Sequence, residues 1–101
     1  MKKCCSDYLM EQFGDQDVVK EIYDEYAKSI HEKITEADGA LASSEWVALD
    51  HIAHAVKGNA LATGDNEVVS VAIALRNAAK LADKNEASSL IGQLKALANE
   101  I

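Results

Sequence analysis

Apolar residues recur at steps of three and four along most of the chain, which is the spacing of one face of an α-helix. The first long stripe consists of Val18, Val19, Ile22, Tyr23, Tyr26, Ile30 and Ile34. A shorter apolar set precedes it and consists of Tyr8, Leu9, Met10 and Phe13. This pattern predicts a short helix that ends at Gly14 and a long helix capped by Asp15 or Asp17. The long helix should end near Asp38-Gly39.

Three more amphipathic stripes fill the second half of the chain. The second long helix has as its inner positions Trp46, Leu49, Ala53, Val56, Ala60 and Thr63. The third has Val68, Val71, Ala72, Leu75, Ala79 and Ala82, and the fourth has Leu90, Ile91, Leu94, Leu97 and Ile101. We expect Ser43 or Ser44 to cap the second helix and Gly64 to end it. Asp65-Asn66 should open the third helix, and Asn85 the fourth.

The composition favours helices over a sheet. The chain contains no proline, only five glycines and many alanines in its second half, and alanine is the best helix former. Four long amphipathic helices with short connections bury their stripes most simply in an antiparallel up-and-down four-helix bundle. We therefore predict an all-α single domain over residues 1–101. The bundle would occupy residues 15–101, after an N-terminal extension or short helix in residues 1–14.

The net charge and the cysteines narrow the class of protein. A formal net charge of −7 disfavours nucleic acid as a partner, because a phosphate backbone rewards clustered Lys and Arg. Cys4 and Cys5 are the only cysteines, which indicates a reducing compartment rather than a disulfide framework. We find neither the apolar core of a signal peptide nor a membrane-spanning run. We expect a cytoplasmic protein with no membrane partner, and Met1 with a full set of helices favours a free-standing one.

The second long helix carries the candidate chemistry on its outer face. At about 100° per residue, His54 lies roughly 130° from the centre of the inner stripe and should face water. Asp50 and His51 lie one turn before His54, and Lys57 and Gly58 lie one turn after it. The polar cluster is therefore centred on His54.

Two apolar residues bracket this histidine. Val47 and Leu61 sit seven residues before and after His54, about 20° off its line on the helix. They suit a transient docking surface for a partner that must reach His54. Single apolar residues are also common on protein surfaces, and at this point both explanations stay open.

These residue types suit a histidine that carries a phosphoryl group. An exposed imidazole is mostly uncharged near neutral pH, and a ring nitrogen can then attack phosphorus. The Lys57 ammonium can offset the phosphoryl charge by charge-assisted hydrogen bonds. Gly58 costs roughly 0.5–1 kcal/mol relative to alanine inside a helix. Either close approach of a partner's backbone or tight helix packing would explain it.

The segment from Trp46 to Leu81 resembles the histidine phosphotransfer (HPt) family of two-component relays. The family pattern is Ala-His-x-Leu-Lys-Gly-x-Ala, followed by a later glycine. Its places are taken here by Ala53, His54, Val56 (for the usual Leu), Lys57, Gly58, Ala60 and Gly64. Ala55 and Asn59 stand where small hydroxyl residues are common in the family. Helices before and after the motif extend the resemblance over nearly the whole chain.

The resemblance implies a phosphocarrier rather than an enzyme, with no ATP site and no autokinase activity. It implies that His54 accepts a phosphoryl group and exchanges it with an aspartate of response-regulator receiver domains. A sensor or hybrid histidine kinase would be the other partner. Lys57 would steady the phosphate, and Gly58 would leave room for the partner. No cofactor is implied for this chain, since the receiver binds the Mg²⁺ of the transfer.

Three alternatives stay beside this interpretation. His51 could be the acceptor, but it lacks Lys and Gly at the matching offsets, so we expect it to flank the site with Val47, Asp50 and Leu61. The chain could be a helical interaction module that binds a receiver or kinase without being phosphorylated. A metal site could use Asp50, His51 and His54, but the Glu-x-x-His pairs of di-iron bundles do not occur. We expect a monomer, because four stripes already close one core.

Overall fold

Five α-helices and no strands make up the protein in a computed structural model that describes all residues, 1–101. The helices are α1 (Lys3–Phe13), α2 (Gln16–Ala42), α3 (Trp46–Thr63), α4 (Asn66–Lys80) and α5 (Lys84–Ala98). The prediction of an all-α protein is confirmed. None of the five helices combines the length and the apolar character needed to cross a membrane.

The four helices that follow α1 contact one another in a closed cycle. α2 packs against α3 and α5, α4 packs against the same two helices, and α1 lies against α2 and α3. One cluster of buried hydrophobic side chains fills the space between them. The contact between α3 and α4 is the most extensive. α3 buries two alanines and α4 buries three, and their small side chains allow close approach of two backbones.

The predicted stripes describe most of this core. The inner positions of α3 are buried except for Trp46, which is half-buried. Val18, at the start of the α2 stripe, is exposed instead, and so are Tyr8 and Phe13 of α1. Val18 lies in the first turn of α2 and Phe13 is the last residue of α1, whereas Tyr8 lies in the middle of α1.

The predicted end of α2 at Asp38-Gly39 is wrong, because the helix continues to Ala42. Ala37 and Ala40 are buried, so tertiary packing extends past the glycine. Asp38 also forms an ion pair with Lys95 of α5 at 2.8 Å. A helical glycine costs only about 1 kcal/mol relative to alanine, which these contacts offset.

All three connections between α2, α3, α4 and α5 use the same backbone turn. A residue with positive φ follows each helix, namely Ser44 (53°), Gly64 (76°) and Ala82 (51°). The next N–H donates to a carbonyl five residues back, as in Glu45 to Ala40, Asp65 to Ala60 and Asp83 to Ala78. This is the Schellman arrangement that satisfies the last carbonyls of a helix. In each case the residue that closes the turn is also the N-cap of the next helix.

This shared turn corrects three predictions at helix boundaries. Neither Ser43 nor Ser44 caps α3, since both belong to the turn that ends α2, and Glu45 takes the N-cap position without a side-chain hydrogen bond. Ala82 is exposed rather than inward, because it is the left-handed residue of its turn. Asp83 rather than Asn85 opens α5, and its carboxylate accepts from the Glu86 N–H at 3.1 Å.

A buried carboxylate joins three parts of the chain at the turn between α3 and α4. Asp65 is fully buried, and both of its oxygens accept from the Lys2 ammonium, at 2.9 and 3.0 Å. The Tyr26 hydroxyl of α2 donates to Asp65 at 2.9 Å, and the Val68 N–H of α4 donates at 3.5 Å. Burial opposes the charge on Lys2, but Asp65 outweighs it and raises the pKa of that lysine.

The same cluster changes the chemistry of its neighbours. Burial and the hydrogen bond to Asp65 raise the pKa of Tyr26 well above its usual range. Burial, with the negative charge of Asp65, raises the pKa of the Cys5 thiol to about 12. Both groups therefore stay protonated at neutral pH, and Cys5 is a core residue rather than a reactive thiol.

The approach of α1 to this turn depends on Gly64. A Cβ atom at Gly64 would lie 2.5 Å from Cβ of Tyr8, and the residue also has a positive φ of 76°. Both the backbone conformation and the close contact with α1 therefore require glycine at this position.

Replacing Asp65 by alanine should lower the free energy of unfolding by about 3 kcal/mol or more, because the Lys2 ammonium would stay buried without its partner. Chemical denaturation with a single probe of helix content measures this. Asp83→Ala is the matched control, since it removes an exposed N-cap at the same kind of turn and should cost about 1 kcal/mol. Equal losses for the two variants would show that the buried ion pair adds nothing beyond a helix cap.

Candidate functional site

His54 lies on the solvent-exposed face of α3, opposite the side of the helix that is buried in the core. Ala53 and Val56 are buried beside it, whereas the His54 side chain is exposed. The core positions thus fix the rotation of α3, and that rotation turns the imidazole toward solvent as the helical phase predicts.

Arg76 of α4 reaches across to this face and contacts two residues of α3. Its Nε donates to Oδ1 of Asp50 at 2.9 Å, and its Nη1 lies 3.1 Å from Nδ1 of His54. The Arg76 and Asp50 side chains are only 27% and 21% exposed. Hydrogen bonding from Arg76 holds the pKa of the Asp50 carboxyl below its usual value. Asp50, predicted as a flanking docking residue, therefore has an internal partner.

Sequence reasoning missed Arg76. It is the only arginine in the chain, and it follows the buried Leu75 on α4 at the border of the inner stripe. A lone arginine at such a border is a signal that could have been noticed. Its contact with His54, however, depends on how α3 and α4 lie side by side, which the spacing within either helix does not reveal.

Lys57 lies one turn after His54 and is half-buried. Five lysines form ion pairs with acidic side chains, namely Lys2, Lys3, Lys20, Lys33 and Lys95. The Lys57 ammonium is not among them and has no hydrogen-bond partner within the protein. It is therefore available to an anion that arrives at the His54 face.

Gly58 is exposed on the same face, and a Cβ atom added there would have no neighbouring atom within 4 Å. Tight helix packing therefore does not explain this glycine. Gly39 and Gly92 are helical glycines in equally open positions, so open space by itself does not mark a surface for a partner. What distinguishes Gly58 is its place one turn from His54.

Exposed apolar residues surround the polar cluster on both helices. Val47 is 72% exposed and Leu61 50% exposed on α3, as the helical phase predicts. Ile73, one turn before Arg76 on α4, is 43% exposed and was missed. Its position extends the apolar border of the site from α3 onto α4.

His51 is exposed and lies one turn before His54. It has no hydrogen-bond partner, so the structure distinguishes the two histidines by the Arg76 contact, which only His54 makes. Asp50, His51 and His54 do not form a cluster that could hold a metal ion, and neither does any other set of three His, Cys, Asp or Glu side chains.

Residues 21–101 match the model of the Hpt domain family, which covers most of α2 and all of α3, α4 and α5. The chain belongs to the Hpt domain family. Hpt domains are phosphocarrier modules that act in two-component signalling with response regulators and kinases. The match begins after α1, so the segment that supplies Lys2 to the buried Asp65 lies outside it. No curated protein and no solved structure matches the chain significantly.

Replacing Gly58 of this Hpt domain by alanine should raise the free energy of unfolding by about 0.5–1 kcal/mol, since the methyl group meets no neighbour and alanine favours the helix. Gly92→Ala on α5 is the matched control and should stabilise by a similar amount. Thermal or chemical denaturation measures both. If Gly58→Ala destabilises while Gly92→Ala stabilises, the surroundings of Gly58 are tighter than the structure indicates.

Proposed function

We propose that this Hpt domain accepts a phosphoryl group on His54 and exchanges it with the aspartate of a response-regulator receiver domain. The observation that carries the proposal is the exposed His54 imidazole with the unpaired Lys57 ammonium one turn away, within the family match. An exposed neutral imidazole is a competent nucleophile, and an anion bound beside it would find a cation without another partner.

The transfer would be an in-line displacement at phosphorus. The imidazole nitrogen attacks as the bond between phosphorus and the aspartyl oxygen breaks, and the reverse step returns the group. Lys57 would donate to the phosphoryl oxygens and offset their charge. Gly58 would let the partner's backbone come close to the ring. We expect the receiver to bind the Mg²⁺ of the reaction, so this chain would need no cofactor of its own.

The helix contacts support a finer description of the fold. α2, α3, α4 and α5 pack in chain order and close the cycle between α5 and α2, and the turns between them are short. These contacts favour an antiparallel up-and-down four-helix bundle. Residues 1–14, which contain α1, would then be an addition that packs against α2 and α3. We also propose that the protein acts as a monomer in the cytoplasm.

His54→Gln should abolish the transfer of phosphate from a phosphorylated receiver domain to this protein in the presence of Mg²⁺, since glutamine has no nucleophilic nitrogen. Radioactive label on the protein, stable to base and labile to acid, measures the transfer. His51→Gln is the matched control and should keep the label. The receiver domains would come from the organism that supplies this chain.

Two outcomes would contradict the assignment. Label that persists on His54→Gln and disappears on His51→Gln would move the acceptor to His51. Binding of a receiver without label on the wild-type protein would favour an interaction module that is not phosphorylated.

Leu61→Ser should lower the efficiency of transfer from a receiver, kcat/KM, by about fivefold if Leu61 belongs to the docking surface, because truncating an apolar residue that contributes to an interface costs about 1 kcal/mol. Phe13→Ser is the matched control. Phe13 is 53% exposed, close to the 50% of Leu61, but it lies on α1 outside the family match. Equal effects of the two substitutions would exclude a docking role for Leu61.

A further inference from the structure

The contact between Arg76 and His54 has a direction that follows from chemistry alone. A guanidinium group has five N–H donors and no acceptor. Nδ1 of His54, 3.1 Å from Nη1 of Arg76, must therefore accept with its lone pair. A neutral imidazole carries one proton on its two nitrogens, so in this arrangement the proton is on Nε2.

We propose that Arg76 is a positioning residue that holds His54 in the tautomer with the proton on Nε2, and so withholds the ring from phosphoryl transfer until an incoming phosphoryl group draws Arg76 away. The proposal rests on the proposed role of His54 as acceptor. With Arg76 in place, the Nδ1 lone pair is engaged in a hydrogen bond and the Nε2 electrons are held in an N–H bond. Neither nitrogen then offers a free lone pair to phosphorus.

Asp50 gives this contact its stability. The Asp50 carboxylate accepts from Nε of Arg76 at 2.9 Å, and the partly buried side chains limit competition from water. The two hydrogen bonds use different nitrogens of one rigid, planar guanidinium, so the anchor at Asp50 also orients the donor toward His54.

Without Arg76, the Asp50 carboxylate would favour the other tautomer of His54, which has the proton on Nδ1. Asp50 lies four residues before His54 and therefore on the same face of α3. A carboxylate accepts an N–H, and a carboxylate that accepts from Nδ1 leaves the lone pair on Nε2 free, as in catalytic and metal-binding histidines. Arg76 occupies Asp50 and Nδ1 at once, so its departure would release both partners of this activating contact.

The incoming group can itself displace the arginine. Phosphoryl oxygens are anionic acceptors that arginine binds in a bidentate manner. Once Arg76 moves to them, water takes the proton from Nε2 and another proton joins Nδ1. The Nε2 lone pair then forms the bond to phosphorus while the bond between phosphorus and the aspartyl oxygen breaks. The electron pair of the broken bond stays on the receiver's carboxylate. The ring finally loses the Nδ1 proton to water, and Nδ1 can accept from Arg76 again.

Nuclear magnetic resonance of the free protein tests the tautomer without any phosphotransfer. Long-range ¹H–¹⁵N spectra of histidine-labelled protein at alkaline pH, where imidazoles are neutral, distinguish the protonated nitrogen of His54 from the unprotonated one. We expect the proton on Nε2 in the wild type. Arg76→Met should raise the population with the proton on Nδ1 by roughly threefold to tenfold, the value of one partly exposed hydrogen bond to a charged group.

Three further variants isolate the cause. Lys80→Met removes a positive charge one turn farther along α4 and should leave the tautomer unchanged. Arg76→Lys keeps a donor and should restore much of the wild-type population. In the double variant Asp50→Asn with Arg76→Met, the Nδ1–H population should fall back toward the wild-type value. A proton already on Nδ1 in the wild type, or an equal shift with Lys80→Met, would overturn the proposal.

A small phosphoryl donor tests the consequence for reactivity. Phosphoramidate should phosphorylate His54 roughly threefold to tenfold faster in Arg76→Met than in the wild type, with Lys80→Met at the wild-type rate. A rate for Arg76→Met at or below the wild type would overturn the gating role. If no variant takes up phosphate on His54 from phosphoramidate or from a phosphorylated receiver domain with Mg²⁺, the proposed function fails, but the spectra still decide whether Arg76 sets the tautomer.

Discussion

The Asp65 carboxylate is fully buried where α3 turns into α4, and a buried charge without partners costs several kcal/mol. Its partners come from three directions: the Lys2 ammonium before α1, the Tyr26 hydroxyl on α2 and the Val68 N–H at the start of α4. Docking of the N-terminal segment, placement of α2 and the start of α4 are therefore coupled. Because this turn holds α3 beside α4, the cross-helix contact between Arg76 and His54 depends on it as well.

The site combines this rigid core with a small cationic region on an acidic protein. The formal net charge is −7, yet Lys57 and Arg76 flank His54 on the face of α3 and α4. Lys57 has no internal partner, whereas Arg76 is held by Asp50. The two cations thus differ in availability: one can receive an anion at once, and the other must first give up its contacts. Exposed apolar side chains on both helices border this region and suit a partner that reaches the ring.

The sequence was most informative where a local rule is sufficient. The spacing of Leu49, Ala53 and Val56 predicted the buried side of α3 and with it the exposure of His54. Gly64 was recognised as the end of α3 because glycine favours positive φ. The boundaries at Ser44 and Ala82 were missed, since a serine and an alanine adopt the same left-handed turn there. A residue with a Cβ atom loses roughly 1–2 kcal/mol in the left-handed conformation. The hydrogen bonds of the completed turn and the packing of the helices offset this cost.

The sequence by itself determined the set of helices, their inner faces and the alignment of His54, Lys57 and Gly58 on one outer face. All three follow from the 3.6-residue period within single helices. Only the tertiary structure decided which residues meet across helices. Arg76 lies 22 residues from His54 and Lys2 lies 63 residues from Asp65, and no periodicity connects positions so far apart. Those contacts depend on the relative placement of whole helices, which is determined by packing throughout the core.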